Sequence, residues 1–233
     1  AAHKAGALAV VDNTFLSPAL QTPIAFGADV VVHSTTTYIN GHSDVVGDAV
    51  IARDAALHER FAWWANALGL AGSPFDSYLT LRGLRTLDAR LRVHQENAVA
   101  IADLLAAHPA VSKVHFPGLA THPGHALAAR QQRGFGAMLS FELQDEAAVR
   151  AFVDGLGCFT LAESLGGVES LVAHPATMTH AAMAPEVRAA AGIGEGLLRL
   201  SVGIEHIDDL RADLRAGLDR AARAGDVVAK AAT

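Results

Sequence analysis

The sequence predicts an α/β fold: the end of a larger domain built on a mainly parallel sheet, followed by a smaller α+β domain. Three observations carry this. Apolar runs at residues 7–11 and 28–32 are too short for helices and read as buried strands. Residues 77–106 hold long helical segments rich in Leu, Arg and Ala, without proline. The chain is 51% hydrophobic but only 6% aromatic, which favours helices on a sheet over an all-β sandwich.

The elements follow in order. The first strand, 7–11, ends in Asp12-Asn13, and the second, 28–32, ends in His33-Ser34; both are expected to be buried on both faces. Between them residues 20–26 suit a short helical crossover, with Pro23 near its first turn and Gly27 closing it. A third strand is expected at 45–52. Leu57, Phe61, Trp64 and Leu68 recur at helical spacing over 55–69. Beyond Pro109, strands at 111–116, 137–143 and 197–202 alternate with helices such as 146–156. Residues 207–224 form a final amphipathic helix, with Asp208 and Asp209 in its favourable first turn. Residues 226–233 read as a fraying tail. The domain boundary is placed between residues 86 and 87.

Bulk properties exclude several classes. The net charge is -6 with no basic run, so nucleic acid is not an expected partner. No apolar stretch approaches the roughly 20 residues that span a bilayer. The single cysteine, Cys158, forms no internal disulfide, reads as a small buried residue and fits a reducing cytoplasm. His115, His122 and His125 lie in a Pro/Gly-rich stretch and read as a solvated loop, not a metal site. The start, Ala-Ala-His-Lys, reads as a truncation point.

Ligands of open α/β sheets bind beyond the carboxyl ends of the strands. Two such ends carry polar clusters here: Asp12-Asn13-Thr14, and His33-Ser34-Thr35-Thr36-Thr37-Tyr38. An acid at one strand end and hydroxyls at the next can hold a ligand cationic at one end and anionic at the other. Pyridoxal phosphate (PLP) is such a ligand. The same residues also have ordinary readings, the Asp as a helix cap or turn former and the Ser/Thr cluster as a turn.

Longer motifs add to this. Val-Val-Asp-Asn-Thr-Phe-Leu-Ser-Pro-Ala-Leu-Gln is followed by Gly-Ala-Asp-Val-Val-Val-His-Ser-Thr-Thr-x-Tyr-Ile-Asn-Gly-His-Ser-Asp-Val-Val-Gly. Leu-Thr-Leu-Arg-Gly-Leu-Arg-Thr-Leu, Leu-Ala-Glu-Ser-Leu-Gly-Gly-Val-Glu-Ser-Leu and Leu-Leu-Arg-Leu-Ser-Val-Gly-Ile-Glu come later in the chain. In this order they resemble the PLP-dependent enzymes of cysteine and methionine metabolism, over nearly the whole chain up to residue 224. Trp63-Trp64-Ala65-Asn66 and the 163–169 motif point within that family to the cystathionine γ-synthases, with the γ-lyases as near neighbours.

The resemblance implies the PLP-dependent transferase fold of type I. It implies Asp12 for the pyridine nitrogen, and Ser34 and Thr36 for the phosphate. Glu163 and Ser164 fall beside the substrate, and Arg199 on its α-carboxylate. It also implies transfer between an O-acylhomoserine and cysteine, a cytoplasmic enzyme and a homotetramer. In this family a lysine stands between Thr36 and Tyr38, where it bonds the cofactor and moves protons. Here that position is Thr37, which has no amine and no pKa near neutrality. Covalent attachment of PLP is therefore not expected. Lys4, Lys113 and Lys230, the remaining lysines, lie away from the strand ends. The resemblance further implies an N-terminal half that this sequence does not contain, leaving apolar surface exposed. Asp48 stands where the family usually has glycine.

Overall fold

The computed structural model describes residues 1–231, which form two sheets joined through one long helix. The first sheet has the order β1 (Val10–Asp12), β2 (Val30–Ser34), β3 (Asp48–Ala52). β1 and β2 are parallel, with Asp12 opposite Val32; β2 and β3 are antiparallel, with Ser34 opposite Asp48. The crossover is a short helix, α1 (Ser17–Leu20), and a 3-10 turn, Pro23–Phe26, with proline at its start and Gly27 at its end. Parallel strands require such a crossover, because no hairpin can join them.

Burial corrects the sequence reading here. β2 is largely buried, but Val10 of β1 is 60% exposed and Asp12 is exposed too. β1 is the outer strand of its sheet, with a strand partner on one side only. The apolar run reported a strand correctly but could not report its neighbours. The third strand begins at Asp48 instead of residue 45, because Gly47 turns aside to bond Thr35 and Thr36.

α2 (Ala55–Leu68) is capped by Asp54, whose carboxylate accepts from the Ala56 and Leu57 N–H groups. α3 (Pro74–Leu84) starts on Ser73 and Pro74. The expected 77–106 helical region breaks at Arg85 and Thr86, and α4 (Leu87–Ala107) follows as the long connector. Leu87, Leu91, Ala98, Ile101, Ala102 and Leu105 bury one stripe of α4.

The second sheet has the order β4 (Lys113–His115), β5 (Met138–Glu142), β8 (Leu197–Ser201), β7 (Leu171–Ala173), β6 (Thr160–Leu161). α5 (His125–Gln131), α6 (Glu146–Val153) and α7 (Pro185–Ala190) lie between its strands in sequence. Period-two alternation sends Leu139, Phe141, Leu198 and Leu200 into the core and leaves Arg199 on the opposite face. α8 (Ile207–Ala231) packs Leu210, Leu214 and Leu218 into that core against Phe152 of α6. It runs past the expected end at residue 224. The expected tail thus belongs in part to the helix, and residues 232–233 lie outside the described ones. Asp213 of α8 accepts the N–H groups of Gly157, Cys158 and Phe159 at 2.8, 2.8 and 3.0 Å. Cys158 is half-buried, less than its sequence context suggests.

The expected histidine loop is also corrected. His115 is on β4 and bonds Glu142 at 2.6 Å, and His125 starts α5 and stacks on Phe135. Among the described residues no group of three or more His, Cys, Asp or Glu side chains is placed to hold a metal ion. No helix among them is long and apolar enough to cross a membrane.

Candidate active site

Asp12 ends β1, where Thr14 turns back on it. The Thr14 hydroxyl and N–H, the latter at 2.9 Å, hold the Asp12 carboxyl below its ordinary pKa of 3.8, with a smaller contribution from His33. The Thr14 hydroxyl in turn accepts the Ser34 N–H at 2.8 Å. An ionised carboxylate and the start of the hydroxyl cluster are thereby joined through one threonine. His33, next to Ser34 on β2, is 4% exposed with Nδ1 unpartnered, and burial lowers its pKa.

After Ser34 the chain makes one π-helical turn, Thr35–Ile39. The Ser34 hydroxyl makes no hydrogen bond among the described residues. The Thr36 hydroxyl accepts the Gly47 N–H at 3.0 Å and donates to the Gly47 carbonyl at 3.3 Å. Thr37 is 8% exposed, and its hydroxyl donates to the Ser34 carbonyl at 2.9 Å. The Thr37 side chain is therefore turned back on its own turn. Asp48, opposite Ser34, shares its face of the sheet and adds a negative charge there.

The remaining candidates come from the other sheet. Arg199 extends from the non-core face of β8, and Nη2 donates to the carbonyls of Glu163 and Ser164 at 2.6 and 3.1 Å. Its Nε is buried without a partner, and burial lowers its pKa while Glu163 opposes that shift. Glu163 and Ser164 themselves are exposed.

The loop carrying them then reaches the π turn. Gly166, at φ +77°, packs so closely that a β-carbon would lie 2.9 Å from Tyr38 N and 3.0 Å from Thr37 Cβ. Its N–H donates to Ser201 Oγ at 2.8 Å, and the Val168 N–H donates to the Gly41 carbonyl at 2.9 Å. Ser43 bonds Glu169. The 163–169 loop thus ties the strand-end cluster to the Arg199 strand. Tyr38 lies at this joint, fully buried, with its pKa raised by burial.

Sequence reasoning placed Thr14 and Tyr38 in the two strand-end clusters and Gly166 in the 163–169 motif, but gave none of the three a role in joining them. Only Thr14 had a local signal, a hydroxyl two residues after an acid, which is a turn-forming spacing. An open groove of about 1100 Å³ lies elsewhere, along α4 beside Leu84, Leu87, Leu91 and Arg133.

The fold is that of the type I PLP-dependent enzymes, and it carries a strand-end acid, a hydroxyl turn and, on the second sheet, Arg199. Residues 1–219 match the model of the Cys/Met metabolism PLP-dependent enzymes, and the chain belongs to that family. Cystathionine γ-synthase of Escherichia coli K12 is 61% identical over 225 residues, which is 96% of this chain and 58% of that protein. Cystathionine β-lyase of Lactococcus lactis subsp. cremoris MG1363 is 51% identical over 92% of this chain and 56% of its own length. The crystal structure of cystathionine γ-synthase from Xanthomonas oryzae pv. oryzae, in complex with aminoacrylate and cysteine, superposes with a TM-score of 0.94. It is 77% identical, with 96% of this chain and 58% of that chain covered. The chain therefore spans somewhat over half the length of these relatives.

Proposed function

We propose that this chain supplies the C-terminal part of the cofactor and substrate site of a PLP-dependent transsulfuration enzyme of the γ-synthase kind. The observation that carries the reading is the Asp12–Thr14–Ser34 connection, which sets an ionised carboxylate beside a free hydroxyl. Asp12 would keep the pyridine nitrogen protonated. Ser34 would donate to the phosphate, and Thr36 would too by releasing its longer bond to Gly47 while still accepting the Gly47 N–H. Bound PLP supplies an electron sink for chemistry at the α-carbon of an amino acid.

Arg199 would take the substrate α-carboxylate, exchanging the Glu163 and Ser164 carbonyls for a two-point contact. Ser164 and Glu163 would then lie beside the reacting side chain. The proposed reaction is replacement of the γ-substituent of an O-acylhomoserine by cysteine. The proposed setting is a cytoplasmic homotetramer of the full-length protein, with its two domains meeting at residues 86 and 87.

The fit to PLP is incomplete in two respects. Thr37 has no amine, and its hydroxyl is occupied by the Ser34 carbonyl. Asp48 opposes a phosphate held on Ser34's face. A second reading rests on Thr37: a non-catalytic chain that holds PLP without a covalent bond. A γ-lyase-like activity is the alternative within the family.

Titration with PLP, borohydride reduction and peptide mapping test these readings. The chain is expected to bind PLP with no pyridoxyl adduct at position 37, and Thr37→Lys is expected to gain one there. A chain that binds no PLP in either form defeats the proposal. Thr37→Lys in a chain extended by the N-terminal portion of its relatives is expected to make cystathionine. Failure despite normal PLP binding removes the γ-synthase assignment.

A further inference from the structure

We infer that Arg90 is a positioning residue that holds the turn carrying position 37 in its working orientation. The inference deepens the reading above and rests on it. Arg90 lies in the first turns of α4 and is 6% exposed. No carboxylate pairs with it among the described residues. Nη1 donates to the Tyr38 carbonyl at 2.9 Å, and Nη2 to the Ile39 carbonyl at 3.3 Å and the Gly83 carbonyl at 2.9 Å. Nε donates to the Thr86 hydroxyl at 3.1 Å. Burying a cation against neutral oxygens alone is costly, so such a residue is poorly explained by stability by itself.

The acceptors supply the explanation. The turn bonds Asn40 N–H to the Thr35 carbonyl at 3.0 Å and Gly41 N–H to the Thr37 carbonyl at 2.7 Å. Among the described residues no backbone N–H from beyond the turn reaches the carbonyls of Tyr38 and Ile39. Thr37 itself departs from helical geometry, with φ -88° and ψ -130°, so the turn lacks a continuous ladder. One planar guanidinium fixes both consecutive carbonyls, immediately after position 37. Gly41, at φ +75°, makes the approach possible, because a β-carbon there would overlap the Arg90 guanidinium.

The same face of α4 repeats the device further along. His94 Nδ1 bonds the Val202 carbonyl at 2.6 Å, and Asn97 Nδ2 donates to the carbonyls of Gly203 and Glu205, each at 3.0 Å. These follow the strand that bears Arg199. One helix face thus grips the turn beside Thr37 and the loop beyond Arg199.

Two substitutions and two readouts test the inference on the full chain. Arg90→Met keeps length and bulk but removes every donor, and Arg90→Lys keeps the charge without the fork. The amides of Asn40 and Gly41 are expected to exchange hydrogen about ten-fold faster in Arg90→Met, and by an intermediate factor in Arg90→Lys. The amides of Leu139 and Leu200 are expected to be unchanged. PLP affinity is expected to fall about ten-fold in Arg90→Met, with partial recovery in Arg90→Lys. Unchanged exchange at Asn40 and Gly41 overturns the inference, and so does equal acceleration at Leu139 and Leu200, which marks general support only. If the unsubstituted chain binds no PLP, the proposed function fails, while the exchange comparison still decides the role of Arg90. If Arg90→Met does not fold, Arg90→Lys carries the same comparison.

Discussion

Val46 is 87% exposed and Trp63 61%, while Phe141 and Leu200 have no exposed surface. The first pair lies in the loop before β3 and on α2, in the region of the three-stranded sheet, and the second belongs to the five-stranded sheet. α2 has no buried residue at all, whereas α6, at little more than half its length, buries Ala148, Val149 and Phe152. The first region joins the main core at few points, among them Leu20 and Tyr38. Apolar sequence becomes a core only where a second layer meets it, and here the second layer is complete on one side of α4 only. The strand-end part of the site therefore sits on the less consolidated region and is fastened to the other by Tyr38, Arg90 and the 163–169 loop.

Substitutions can break or sharpen this contrast. Phe141→Ala is expected to cost about 3–5 kcal/mol of unfolding free energy in urea. The effect of pH comes next. His94 is buried and neutral, and burial depresses its pKa from 6.5 to about 4. The unfolded chain takes up a proton at the ordinary value and the folded chain does not, so stability falls as pH drops from 6.5 towards 4. His33, also depressed by burial, acts in the same direction. His94→Gln is expected to flatten the decline more than His33→Gln, and equal flattening would show the two regions to be equally consolidated.

The helix caps give a smaller effect. Asp145 accepts the Ala148 N–H at 2.8 Å at the start of α6, and Asp145→Ala is expected to cost about 1 kcal/mol. Asp54→Ala, at the start of α2, is expected to loosen that helix in hydrogen exchange while shifting global unfolding less. Trp63→Ala is expected to change global stability by no more than about 0.5 kcal/mol. A loss comparable to that of Phe141→Ala would mean that α2 is packed in solution.

Much of this was legible in the chain. Arg199 stands between Leu198 and Leu200, so it could be placed on a strand with its face implied. Asp12 and Ser34 were visible because each follows an apolar run, where strand ends lie. β6 and β7, at two and three residues, are too short to show a period. The exposure of β1 depends on neighbours and not on its own residues. Arg90 was hidden for a different reason: an arginine in a helix ordinarily faces water, and its acceptors are backbone carbonyls, two of them about fifty positions away. No side-chain pattern marks a carbonyl as needing a donor.

The Asp213 clamp on residues 157–159 has a chemical consequence for the chain's single sulfhydryl. Burial first, and then the negative charges of Asp213, Asp209 and Glu205, raise the pKa of Cys158. Thiolate is the reactive form, so alkylating and oxidising reagents meet a slow target there. The chain carries a quiet background for labelling. A cysteine placed at exposed position 46 is expected to react with a maleimide dye well before Cys158 does, giving a reporter beside the strand-end cluster with the native thiol left in place.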